Sequence, residues 1–314
     1  MRRIEDFIRQ SIKPIILNIE YKVIEVEKGT CILIIRIPQS LISPHRVEFK
    51  GNNKFFTRNN KGKYQMDVSE LRIAFNSGLD LEKRIEEYKQ ERYYEILSNK
   101  YKNLIDDLPI FVVHYIPISA FNGSNLNLLS QTKIKEEMNN CSSKALGRGY
   151  DKTISIDSVS IKYNLAGVSA IANYKTNGII EKASTEFFFK QYKYTNISPN
   201  KVVDRISGQR IIETFIEDFY EVKKYYEKVE IDTPILVCCS ILNSANYTIP
   251  TDMFYDVLNK IDRDMLYINN LYVENLDKPI EEILKPIFDS IWNACGYEKC
   301  PAYDENEKYV GLKQ

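Results

Sequence analysis

Apolar and polar positions along the chain follow two different periods, and the alternation between them outlines the elements. Ile4, Phe7, Ile8 and Ile12 recur at helical spacing, and Pro14 stops a short helix near Lys13. Residues 19–27 (IEYKVIEVE) alternate with period two, as a half-buried strand does. Lys28, Gly29 and Thr30 then turn the chain into residues 31–37 (CILIIRI), which predicts a hairpin. This second strand is almost continuously apolar, so the pattern predicts a central strand covered on both faces and ended by Pro38. The runs 46–49 and 54–58 flank Gly51, Asn52 and Asn53 and read as a second hairpin. Asp67 and Glu70 form a capping box that opens a helix through Phe75, with Gly78 placed to end it.

Residues 79–105 read as one long charged helix, a connector with Leu81, Ile85, Tyr88 and Arg92 on one face. The apolar run 109–116, stopped by Pro117, opens a second domain. Residues 163–174 and 178–180 flank an Asn177-Gly178 turn, and 184–190 continues the same series of strands. Residues 206–226 form a long helix with Ile211, Phe215, Phe219 and Tyr226 inward, followed by a buried strand at 234–242. A last helix starts near Asp277-Lys278-Pro279, carries Ile283, Ile287 and Ile291, and ends at Gly296. The expected class is α+β: a β-rich module over 1–78, a connector helix over 79–105, and an α+β domain with an antiparallel sheet over 106–314.

Composition narrows the function classes. At 44% hydrophobic and 27% charged, the chain has enough apolar material for a core and is not a disordered or fibrous protein. No apolar run approaches the roughly 18 residues of a membrane span, and Met1 to Asp6 lack the apolar stretch of a secretory signal, so a cytoplasmic protein is expected. Six cysteines are too sparse for a disulfide scaffold, and Cys31, Cys238 and Cys239 lie in apolar runs as small hydrophobes. With only His45 and His114 present, and Cys295 and Cys300 spaced too widely for a knuckle, no metal or other cofactor is expected.

Net charge is zero but uneven. Residues 1–100 hold 19 Lys/Arg against 14 Asp/Glu, leaving 24 against 29 in the remainder. The excess concentrates between Arg36 and Lys63, where Arg36, Arg46, Lys50, Lys54, Arg58, Lys61 and Lys63 face a single acid, Glu48. Such a cluster attracts phosphate backbones when the side chains share a face, and is a solvated edge when they do not. Along 54–58 (KFFTR), period two puts Lys54, Phe56 and Arg58 on one face, the combination used for backbone clasping and base stacking. His45 could add a phosphate hydrogen bond; the alternative is a bond to a backbone carbonyl that locks its loop. His114, mid-strand among Val112, Val113, Tyr115 and Ile116, reads as a core histidine. Gly147, Arg148 and Gly149 lack the strand and Lys-Ser/Thr that a phosphate loop requires, and no nucleophile elbow is present.

Residues 32–40 (ILIIRIPQS), Pro44-His45-Arg46, 55–58 (FFTR) and 66–72 (MDVSELR) together resemble the later half of the Schlafen AlbA-like domain. Residues 114–121 (HYIPISAF) and 164–167 (NLAG) are similar to the C-terminal region of bacterial regulators of this kind, labelled DNA-binding or ATP-binding. The resemblance implies binding of DNA or RNA and a regulatory or defence role, and the basic cluster supplies the expected contacts, Arg36, His45, Arg46, Lys50, Lys54, Arg58, Lys61 and Lys63. In the Schlafen ribonucleases a trio of acids supports metal-dependent cleavage, but those acids lie in the earlier half of the domain. No residue here matches them, so no catalytic residue, metal site or ATP site is carried over, and whether the chain is an enzyme stays open. The expectation is a member lacking that half: a split-gene product, a homo-oligomer, a remnant, or a non-catalytic subunit completed by another chain.

Overall fold

The computed structural model describes residues 2–16, 19–27, 30–37, 40, 43–60, 62–98, 108–121, 129–141, 151–165, 168–193, 202–249 and 259–312. The class is α+β, and the chain divides into two compact units, residues 1–92 and 93–314. The first unit begins with α1 (Arg2–Ser11) and the short β1 (Ile12–Lys13). The strands β2 (Glu20–Glu27) and β3 (Thr30–Arg36) follow, then β4 (Arg46–Phe49), β5 (Asn52–Asn59) and β6 (Gly62–Gln65). A four-stranded antiparallel sheet has the order β1-β4-β5-β6, while β2 and β3 form a ribbon of their own.

Three expectations need correction here. The strand β3 is not central: among the described residues it pairs only with β2, and its side chains are exposed on both faces. Continuous apolarity reports that a strand can be covered twice, not that covering layers are present. Cys31 on this strand is likewise exposed rather than buried. The second hairpin turns at Lys50 and Gly51, not over Gly51 to Asn53; Phe49 pairs with Asn52, and φ values of 49° and 77° at the two turn residues give the mirror-image turn that matches strand twist. Finally, Gly78 does not end a helix. A single α2 (Val68–Leu97) runs through it and on into the second unit. A mid-helix glycine costs only about 1 kcal/mol relative to alanine, and helical pairs such as Lys83 with Glu87 and Lys89 with Glu86 continue beyond it. The capping box does form: the Asp67 N–H donates to Glu70 Oε2 at 2.9 Å and the Glu70 N–H to Asp67 Oδ1 at 2.8 Å.

The second unit is built on β7 (Ile110–Pro117), with α3 (Gln131–Cys141), β8 (Asp151–Ile154), β9 (Ser158–Leu165), β10 (Val168–Lys175) and β11 (Ile180–Ser184). Next come β12 (Phe188–Lys193), β13 (Val202–Ile206), α4 (Gly208–Val229) and β14 (Ile235–Leu242). The chain closes with β15 (Met265–Tyr267), β16 (Leu271–Val273) and α5 (Ile280–Asn293). Eight strands form one antiparallel sheet, β15-β14-β7-β11-β10-β9-β8, with β16 also on β14. The expected strand over 163–174 is two strands, β9 and β10, paired from Val168 opposite Leu165. The run 184–190 does not continue this sheet, because β12 pairs with β13 in a separate ribbon.

Every residue of β7 and β14 is buried. One sheet face carries the large core of α4 and α5, where Phe215 stacks edge-on to Phe111 and Phe288. The other face packs Ile110, Val112, Ala183 and Leu242 against Tyr93 and Ile96 at the end of α2. Helix α4 starts at Ser207, whose Oγ accepts from the Arg210 N–H. Gly208 lets that end approach closely, since a Cβ there would lie 2.6 Å from the Trp292 ring.

Candidate nucleic-acid interface

Antiparallel register decides which basic residues meet. Arg46 lies opposite Phe55 and Lys13, and Thr57 opposite Tyr64, so these share one face of the four-stranded sheet. Val47 lies opposite Lys54, Phe56 opposite Gln65 and Arg58 opposite Lys63, so Lys54, Phe56, Arg58, Lys63 and Gln65 share the other. The first face carries α2: Phe55 meets Phe75 edge-on at 5.6 Å between centroids, and the Tyr64 hydroxyl donates to Glu70 Oε1 at 2.6 Å. That bond raises the Tyr64 pKa, and hydrogen bonds from Ser69 and the Glu70 N–H lower that of Asp67. On the second face, Phe7 of α1 covers Phe49 at one end.

Along the rest of the second face Val47 and Lys54 are half-buried, and Phe56, Arg58, Lys63 and Gln65 are exposed. Phe56 keeps 39% of its surface exposed, and Lys63 Nζ stands 5.8 Å from its ring centroid. Lys54 and Arg58 flank Phe56 along the strand, with Arg58 and Lys63 exposed. One cation therefore stands over the Phe56 ring, with Lys54 and Arg58 two residues away on the same strand face, and a planar group can stack on that ring while its charge is neutralised.

The remaining candidates lie elsewhere. Arg46 points to the covered face and sits 3.9 Å from Glu48. Arg36 belongs to the separate ribbon and is bound to Glu20 at 2.8 Å. Lys50 caps the hairpin turn with Nζ 5.4 Å from the Phe49 ring centroid. His45 donates from Nδ1 to the Pro14 carbonyl at 2.7 Å, which is the loop-locking arrangement. Lys61 and the Gly147–Gly149 segment lie outside the described residues.

The second unit holds buried charge that periodicity did not reveal. His114 is fully buried with Nε2 2.9 Å from Glu181 Oε2. Lys182 is also buried, with Nζ 2.9 Å from Asp218 and 3.7 Å from Glu221. Burial opposes its charge, but Asp218, Tyr174 and Glu221 outweigh it and hold the Lys182 pKa above its ordinary value. Burial pushes Glu221 up to about 7 against the pull of Lys182, and Asp218 adds to the rise. Lys182 and Asp218 border a cavity of about 30 Å³ walled by Phe111, Phe187 and Phe215, room for a single water. The usable sequence signal was Asp218 and Glu221, three apart on the otherwise apolar α4 face of Phe215, Phe219 and Val222.

Among the described residues, no group of three or more His, Cys, Asp or Glu is arranged to hold a metal ion, and no helix is long and apolar enough to cross a membrane. No family model matches the chain, and neither a curated protein nor a solved structure matches it.

Proposed function

We propose that the first unit binds nucleic acid, single strands in preference to duplex, through the Phe56 face of β5 and β6. The observation that carries this reading is the partly exposed Phe56 ring under Lys63, on a sheet face it shares with Lys54 and Arg58. Alternate residues on a strand stand about 6.6 Å apart, so Lys54 and Arg58 bracket a base stacked on Phe56 and reach the backbone on either side. Stacking needs an unpaired base, which a duplex does not offer. The chemistry is sequence-tolerant, because every base has a π face. The resemblance of residues 32–72 to the Schlafen AlbA-like domain supports the same reading. A cytoplasmic setting belongs to the proposal, and free cysteines including the exposed Cys31 are compatible with it.

Fluorescence anisotropy with labelled single- and double-stranded DNA and RNA tests it. Three phosphate contacts give a log–log salt slope of about −2 on single strands. Phe56→Ala should weaken binding by roughly 5- to 150-fold, the equivalent of about 1–3 kcal/mol per stacked base. Arg58→Ala should lose about fivefold and Arg46→Ala, on the covered face, under twofold. Absence of binding at low salt, or a Phe56→Ala protein that binds as well as the parent, overturns the proposal.

A further inference from the structure

The β2–β3 ribbon has an uneven edge. On β2, Glu20, Lys22, Glu25 and Glu27 interrupt the apolar residues, and the register shifts between Glu25 and Glu27 as a bulge does. Charge and bulge are the devices that keep an edge strand from pairing. From Thr30 to Ile35, β3 has neither: no charge, no proline, no register shift. It is an extended apolar strand whose second edge meets no other strand among the described residues.

The ribbon's faces are unfinished as well. Register places Ile24, Ile32 and Ile34 on one face and Val23, Leu33 and Ile35 on the other, and all six are more than one-third exposed. A two-stranded ribbon alone is marginal in water, and three or more strands are needed for independent stability.

We infer that β3 pairs antiparallel with β3 of a second copy of this chain, giving a continuous sheet β2-β3-β3-β2 about a two-fold axis at Leu33. A self-pairing strand must be compatible with its own reverse, and β3 is. With Leu33 opposite Leu33, Ile32 faces Ile34, Cys31 faces Ile35 and Thr30 faces Arg36, so no like charges meet across the seam. Arg36 stays bound to Glu20 of its own ribbon, which leaves Thr30 beside a neutralised pair. The symmetry continues each apolar face across the seam, and the joined ribbons have four strands where each alone has two. The same pairing with β2 at the seam would put the register shift between Glu25 and Glu27 into the interface. A partner of other composition would not need the strand to match its own reverse.

Sedimentation velocity on the full chain over a wide concentration range tests the assembly. The parent should shift from monomer to dimer as concentration rises, and Ile32→Lys with Ile34→Lys should remain monomeric with unchanged circular dichroism and melting temperature. Register is read separately in a Cys31→Ser background. Leu33→Cys should form a disulfide-linked dimer on mild oxidation, and Thr30→Cys should not. A parent that stays monomeric throughout, a dimer that survives the two lysines, or equal cross-linking at positions 30 and 33 overturns the inference.

Discussion

Strands β3 and β14 are nearly interchangeable as strings of letters, TCILIIR against ILVCCSIL, yet every residue of β14 is buried and β3 is exposed along almost its whole length. The difference lies in what surrounds them. Strand β14 has β7 on one side, β15 and β16 on the other, helices over one sheet face and the end of α2 over the other. Among the described residues, strand β3 has β2 alone. Burial is thus a property of layers, and a strand's composition states only what it can accept. Among the described residues the second unit holds a large buried core, and the first exposes two kinds of surface, one cationic and aromatic, the other aliphatic.

The comparison can be broken most decisively in the cores. Phe215→Ala in the second unit should cost about 3–5 kcal/mol in denaturant unfolding, while Val26→Ala on the exposed ribbon should cost well under about 1 kcal/mol. Equal costs would mean that the ribbon is packed as tightly as the sheet.

A second measurement probes the charge held inside the second unit. The folded pKa of Glu221, about 7, lies above its unfolded value of 4.5, so the folded state binds the proton more tightly. Stability contributed by that proton falls as pH rises from about 4.5 through about 7. Glu221→Gln should therefore match the parent near pH 4.5 and exceed it above pH 7 by up to about 3 kcal/mol, read by unfolding at pH 5 and pH 8. A gap that does not widen with pH would assign the group to solvent rather than to the core.

The smallest effect belongs to the first unit. Asp67→Ala removes the side chain that accepts the Glu70 N–H and should cost about 1 kcal/mol, with loss of ellipticity from the first turns of α2. No change would place the start of α2 under tertiary control rather than under its cap.

Local signals were legible where one residue's chemistry decides the outcome. While the last helix ends at Asn293, three residues before the glycine expected to stop it, the capping box and the inward row Ile211, Phe215, Phe219 and Tyr226 were both in the pattern. So was the shared face of Lys54, Phe56 and Arg58, because strand geometry alone fixes it. Strand β6 was missed because four residues, GKYQ, carry almost no periodic signal, and with it went the knowledge that Lys63 stands beside Phe56. The separation of Arg46 from Arg58 depends on cross-strand register, which follows from a turn placed one residue earlier than the glycine suggested. The Lys182–Asp218–Glu221 cluster joins residues more than thirty positions apart, and no local window contains it.

The single pairing of β3 among the described residues also has a consequence in time. Alternate N–H groups along its second edge have no strand partner there, whereas β7 and β14 are hydrogen-bonded to strands on both sides. Amide hydrogen exchange on β3 is therefore governed by local fraying of a ribbon, and on β7 and β14 by opening of the whole sheet.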